Sequence, residues 1–458
     1  KSNKKALLIT KKHFGQNHPE VATSYFWLGD LYSYKKEYKK AENYFQKSLK
    51  VNENVFGKNN YKNTFDLFWL GYLNRKIGEI EKSNLYMKSA VEILLTKMQR
   101  EIPNLPLSDR TNFSEKIDSR IPDMIFQNSL ISNNYSDKEL ALFLRINRQG
   151  LSEDIERKQS KLINLEGDQK TKYLEISALT EKLSNINIDS REALRIKNKK
   201  DKLEKELYLF LPEEKLKLYS IKDISENLPV DSKLIEFQRY TELNIKRNFG
   251  IGITIGKNKK NSLVEILSVF DESPSQEIGL KKGELILEIE GINTKNIDLK
   301  TARSLIKGAE NDKLKLLIEK NGKRKSVELI RKIEIEQREF GKEKYLALIL
   351  SKNGEIETID LGEAKQIDTQ IKNALYASEK SLSDTQSLCD SISNKIINPL
   401  FKNIQDSKRL IISPDSEINR VAFYALRSPK DNSRFLSEEY EINLITTGRE
   451  LIKLKNIS

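Results

Sequence analysis

The sequence predicts a multidomain chain: an α-helical solenoid and a long helical hairpin, followed by an α/β domain that a small β-rich module interrupts. Three observations carry this reading. Phe14-Gly15 and Trp27-Leu28-Gly29 recur 42 positions later as Phe56-Gly57 and Trp69-Leu70-Gly71, a period that signals stacked helical pairs. Residues 138–228 hold almost no Gly or Pro and carry Leu or Ile every three or four positions. From Phe249 the texture switches to short apolar runs between Gly-rich turns, and it switches back near Lys344.

The composition narrows the function classes. A length of 458 residues exceeds one ordinary domain, and 38% hydrophobic with 32% charged residues describes a chain rich in surface helix. The net charge of +13 comes from Lys interleaved with acidic residues, as around Lys199, Lys200, Asp201 and Lys202, so solvated helix faces account for it and no nucleic-acid partner is expected. One cysteine excludes a disulfide framework, and two histidines far from it supply no zinc set, so neither metal nor cofactor is predicted. No run approaches 18 apolar residues and no signal-peptide pattern opens the chain, which predicts no membrane span and a cytoplasmic location.

Within residues 1–100 each repeat reads as two amphipathic helices, 21–34 and 38–54 in the first unit. Gly29 and Gly71 fall where the paired helices must approach closely. The pattern Leu28-Gly29, Tyr32, Tyr38, Ala41, Phe45 and Ser48-Leu49 resembles the tetratricopeptide repeat in a 42-residue form. The next unit matches at Leu70-Gly71, Gly78, Met87 and Ala90 and departs at Asn74 and Ser83. Residues 1–13 align with the second helix of a unit, which implies a further repeat before Lys1. His13 and His18 flank the inter-repeat loop and read as cap or turn residues. The resemblance implies a protein partner on the repeat surface.

Residues 101–228 form the helical middle, with Leu203, Leu207, Phe210 and Leu211 on one stripe. Mixed charges over 162–222 suit a helical hairpin of coiled-coil type. Bracing between neighbouring domains and coiled-coil partner binding are both open.

Residues 242–340 read as the inserted module. Phe249-Gly250-Ile251-Gly252-Ile253, Val264-Glu265-Ile266, Ser273-Pro274, Ile278-Gly279-Leu280-Lys281-Lys282-Gly283-Glu284 and the run Ile286 through Gly291 resemble, in this order, a PDZ domain of the bacterial processing-protease type. Ser275 and Ile278 stand where that type has Ala, and Glu284 where it has Asp. The resemblance implies that a C-terminal peptide adds as a strand beside residues 251–255, Ile253 among them, with its carboxylate held by backbone N–H groups of the Phe249-Gly250-Ile251-Gly252 loop. Ala302, Leu305 and Ile306 would line the other wall and select an apolar terminal side chain. The alternative is that the Gly-rich strand packs in its own core. No helix starts after these glycines, which excludes a dinucleotide fingerprint. Polar linkers at 241–248 and 333–344 are expected to let the module pivot.

The flanking segments carry a third resemblance. Leu234-Ile235-Glu236-Phe237, Tyr345 through Leu350, Ile359-Asp360-Leu361-Gly362, Arg409-Leu410-Ile411-Ile412 with Ser413-Pro414-Asp415-Ser416, Phe423-Tyr424-Ala425-Leu426 and Gly448-Arg449-Glu450-Leu451 resemble the CHAT family, caspase-like domains often found behind tetratricopeptide repeats. Ser416 replaces the usual Gly. The resemblance implies a partial α/β caspase-like domain, its first strand in 229–241 and the remainder in 341–458. In that family the catalytic His and Cys follow these segments, so the chain is expected to be truncated at both ends and to hold no catalytic residue. Cys389 shares a helical stripe with Ile392, Ile396 and Leu400 and reads as a core cysteine. The expected function is the peptide-binding N-terminal portion of a repeat-linked caspase-like cysteine peptidase, and the alternative is a non-catalytic interaction scaffold.

Overall fold

The computed structural model describes residues 2–102, 105–106, 120–149, 151, 166–184, 191–208 and 218–455. It divides into two compact units, Lys1–Glu242 with Lys342–Ser458, and Leu243–Gly341.

The repeats supply helices α1 (Ser2–Phe14), α2 (Pro19–Tyr34), α3 (Tyr38–Phe56), α4 (Asn63–Lys76) and α5 (Ile80–Glu101). Helix α2 starts two residues before the predicted 21 because His18 caps it: its Nδ1 accepts from the Glu20 N–H at 3.2 Å, and Pro19 occupies the first turn. Phe14 stacks on the same imidazole at 4.5 Å, so this histidine serves the turn. Helix α3 runs two residues past the predicted 54 and stops at Gly57, whose φ of 84° ends the helical path. Both predicted close approaches exist. A Cβ on Gly29 would lie 2.8 Å from the Phe45 ring, and one on Gly71 2.7 Å from Met87.

The middle supplies α6 (Arg120–Ile131), α7 (Tyr135–Gln149), α8 (Gly167–Ser184), α9 (Arg191–Tyr208) and α10 (Ile221–Asn227). Helices α8 and α9 form a hairpin held by Ile176, Leu207, Tyr173 and Leu203. The ion pairs Lys172–Glu206 (2.7 Å) and Glu175–Lys199 (2.6 Å) step down α9 as they step up α8, so the two helices run antiparallel. Phe210 and Leu211 lie outside the described residues. Helix α7 is tied to the repeats by Asp137, which is buried and accepts from Arg75 and from Asn84 at 2.8 Å.

The same unit contains a five-stranded sheet in the order β11-β10-β1-β8-β9. Its strands are β1 (Ser232–Gly250), β8 (Ile333–Ser351), β9 (Ile356–Glu363), β10 (Arg409–Ser413) and β11 (Glu441–Leu444). Strands β1, β10 and β11 are parallel, and Leu234 sits opposite Ile411. Alternate residues face opposite sides. Leu234, Leu346, Leu348 and Ile411 join Phe68, Val91, Ile125 and Leu144, so repeats, α6, α7 and one sheet face share a single core. Ile235, Phe237, Ala347 and Ile412 pack on the other side with Ile367, Ile371, Ile392 and Ile396 from the helices Ala364–Glu379 and Thr385–Ile396.

The unit Leu243–Gly341 holds a six-stranded sheet in the order β2-β3-β4-β6-β7, with β5 on β4. Here β2 is Ile253–Lys257, β3 Val264–Val269, β4 Leu285–Ile289, β5 Ile292–Asn293, β6 Lys313–Lys320 and β7 Lys323–Ile330. Ile255, Ile266, Ile286, Ile289, Leu314, Leu316 and Ile318 form its core. The helix Leu299–Ile306 packs on β2 and β4, and Asp298 caps it by accepting from the Thr301 N–H at 2.6 Å.

Residues 241–248 and 333–344, expected as polar linkers, are strand instead and belong to β1 and β8. Opposite charges explain why polar sequence is extended here: Lys246 pairs with Glu339 at 2.6 Å and Arg247 with Glu334 at 3.5 Å.

Candidate functional site

The loop before β2 is built by its carbonyl groups. The Phe249 carbonyl accepts from Gly308 N–H (3.0 Å), Gly250 from Lys332 (3.0 Å), Ile251 from Ser275 (3.1 Å) and Gly252 from Phe270 (2.8 Å). Four consecutive carbonyls are thus occupied by donors from four separate places. The Phe249 N–H donates back to Gly308 at 2.9 Å, whereas the N–H groups of Ile251 and Gly252 find no acceptor among the described residues. Both residues are buried, and buried amide donors are costly to leave without a partner. A pair of adjacent free N–H groups suits an anionic oxygen. Gly252 is required twice over: its φ is 80°, and a Cβ would stand 2.7 Å from Ser273 Oγ.

Strand β2 ends its sheet, so it pairs with β3 on one side and presents the other as an edge. Of the residues expected on the opposite wall, Ala302 has no accessible surface and Ile306 is 6% exposed, so both serve the core of the module. Leu305 is half-buried, as are Leu299 on the same helix and Ile253 on β2, and these three border the core with an apolar rim. Gly308 and Arg331, beside the loop, carry no signal in the sequence, and Ser273, part of the PDZ-like pattern, packs its side chain against Gly252. Ser275, noted only as a departure, is buried and its hydroxyl has no partner among the described residues.

The five-stranded sheet carries a second polar cluster where Glu236 of β1 lies opposite Ser413 at the carboxyl end of β10. Glu236 and Arg145 are both inaccessible and lie 3.3 Å apart. The Glu236 carboxylate accepts from the Gly448 N–H at 2.7 Å and from Thr447 at 3.3 Å. Arg145 donates to Ser413 (3.2 Å) and to the Pro414 carbonyl (3.1 Å). Nearby, Asp415 accepts from the Arg239 N–H at 2.7 Å, and Asp123 accepts from the Thr241 N–H at 3.1 Å. Burial pushes the Asp123 carboxyl up to about 6. The ion pair and these hydrogen bonds hold the Ser413–Ser416 turn and the Thr447–Gly448 corner in place, while Arg145 Nη1 has no hydrogen-bond partner among the described residues.

Cys389 is half-buried at the edge of the second sheet core, a less enclosed position than its helical stripe implied. Burial, with a smaller push from Asp390, raises its thiol above the ordinary value. His13 and His18 belong to the repeats, so no imidazole from this chain is part of the sheet domain.

Comparison with known proteins identifies each module separately. The family model of the tetratricopeptide repeat matches residues 2–54, that of the PDZ domain 265–320, and that of the CHAT domain 386–458. A carboxyl-terminal-processing protease of Synechocystis sp. is 29% identical over 90 residues, covering 19% of this chain and 21% of that protein, so the chain spans about a fifth of that relative's length. A solved structure of a photosystem II D1 C-terminal processing protease matches at 13% identity over 36% of this chain and 39% of that one, with a TM-score of 0.19, too low to carry an argument. Among the described residues no helix is long and apolar enough to cross a membrane.

Proposed function

From a chain that carries tetratricopeptide-repeat, PDZ and CHAT modules, we propose that it captures polypeptides by their free carboxyl terminus, as the peptide-binding portion of a repeat-linked caspase-like peptidase. The observation that carries this reading is the pair of unused N–H groups at Ile251 and Gly252, in a loop whose carbonyls are all engaged. The peptide adds along the edge of β2, its carboxylate meets those two donors, and its last side chain settles against Ile253, Leu299 and Leu305. The matched protease is named for processing carboxyl termini, and recognition of a free carboxyl terminus is the chemistry taken over here. The repeats offer a second surface, for a protein partner.

The residues of this chain bind and position a polypeptide and do not cleave it. A thiolate peptidase needs a low-pKa cysteine beside an imidazole. Cys389 has a raised thiol and both histidines sit in the repeats. That observation also favours a second reading, an interaction scaffold with a non-catalytic CHAT domain. Calorimetric titration of the full chain with peptides bearing an apolar last residue tests the binding function: amidating the terminus is expected to weaken binding at least about tenfold, because charge-assisted hydrogen bonds are lost. Equal affinity for acid and amide forms would refute it. A peptide-library cleavage assay is expected to show no turnover that Cys389→Ser abolishes.

A further inference from the structure

Arg331 is 7% exposed, and its guanidinium donates to three carbonyls: Nη2 to Leu305 at 2.9 Å, Nε to Ile306 at 3.0 Å and Nη1 to Lys313 at 2.7 Å. No carboxylate lies within ion-pair distance of it among the described residues. Asp312, whose backbone carbonyl accepts from the Arg331 N–H at 2.8 Å, turns its carboxylate to the Ala309 N–H at 3.2 Å. A buried cation without an anionic partner is costly, so its surroundings must supply negative potential. Here the helix Leu299–Ile306 does so, because Leu305 and Ile306 are its last two residues and their carbonyls form its negative end.

That helix end lies directly behind the loop. Gly308, two residues beyond Ile306, exchanges both backbone hydrogen bonds with Phe249, and Lys332, next to Arg331, donates to Gly250. A carboxylate held by Ile251 and Gly252 would therefore face the negative end of the helix, and the two would repel. We propose that Arg331 is the positioning residue that makes this loop accept an anion: its charge cancels the helix end, and its three hydrogen bonds hold Gly308 against Phe249. The ligand class that follows is a peptide with a free α-carboxylate. This rests on the reading proposed above. Gly308 is part of the same device, since a Cβ there would lie 2.8 Å from Arg331 Nε.

The test compares retention of two decapeptide pools on the immobilised full chain, each degenerate except for a last residue of Ala, Val, Leu or Ile, one pool with free carboxyl termini and one amidated. Arg331→Gln is expected to lower the acid-to-amide ratio by about three- to tenfold, acid retention falling further than amide retention. Arg331→Lys keeps the charge but replaces the planar fork with a single ammonium, so its ratio is expected to lie between those of Arg331→Gln and wild type. Unfolding curves establish that each variant is folded. Should Arg331→Gln not fold, Gly308→Ala, which crowds the guanidinium, is expected to lower the ratio in the same direction. A folded Arg331→Gln or Gly308→Ala that keeps the wild-type ratio, or that loses acid and amide retention equally, overturns the role of Arg331 alone. A wild-type chain that retains both pools equally overturns the carboxylate reading and this inference with it.

Discussion

The two units of this chain build their cores in opposite ways. Every core residue of the Leu243–Gly341 unit comes from one stretch between Ile251 and Leu329. The core on one face of the five-stranded sheet draws instead on residues from Phe68 to Ile411, and its buried Arg145 reaches Ser413 across 268 positions. A core of local origin closes short loops and can form alone, whereas one assembled from distant segments exists only when all of them are present.

Deletion breaks the comparison most sharply. Residues 242–340 expressed alone are expected to unfold cooperatively on heating, while the sheet segments without α6 and α7 are expected to stay unfolded, because Ile121, Ile125, Leu142 and Leu144 cover one face of the sheet. Circular dichroism melts decide it, and a disordered 242–340 fragment would sink the contrast.

Glu236→Ala is next in size. It strands Arg145 in the sheet unit and is expected to cost about 3–5 kcal/mol there, with the transition of the other unit unmoved. Replacing both partners with apolar residues should recover most of the loss, which urea titration of the single and double variants measures.

A gentler probe is pH. Asp66 is buried between α3 and α4, accepts from Asn52 at 2.8 Å, and has its carboxyl pushed from 3.8 up to about 6 by burial. Between those values the folded chain keeps a proton that the unfolded chain has released. The stability conferred by the neutral carboxyl is therefore present below about 3.8 and lost as pH rises through about 6, by about 2–3 kcal/mol. Asp123 titrates in the same window, so Asp66→Asn should flatten the dependence of the sheet unit by about half. The Leu243–Gly341 unit contains neither group and should show no such slope from them.

The smallest effect is expected at Cys389. Its half-buried thiol should react slowly with iodoacetamide at neutral pH, and Cys389→Ser should cost about 1 kcal/mol, because a hydroxyl at the edge of a core loses part of its solvation. Fast alkylation would contradict the raised thiol.

What could be read from the sequence was what neighbouring positions decide. A missing side chain at a repeated offset marks a close approach wherever the helix pair recurs, so Gly29 and Gly71 could be placed against their partner helices without coordinates. The order of apolar runs, turns and glycines likewise pointed to the repeats, the β-rich module and strands β1, β8 and β10, though not β11, since amphipathic periods of 3.6 and 2 are properties of the chain itself. Tertiary structure decided which of these surfaces meet. Arg145 looks like any helical arginine until Glu236 and Ser413 close around it, and Arg331 looks like a strand-end cation until the helix Leu299–Ile306 ends against it. Residues 241–248 read as linker because polarity alone does not reveal a partner strand whose matching charges lie about 90 positions away. The energy of a charged or polar group depends on what surrounds it in space. That environment is set by segments far apart in the chain, so only the folded structure could assign it.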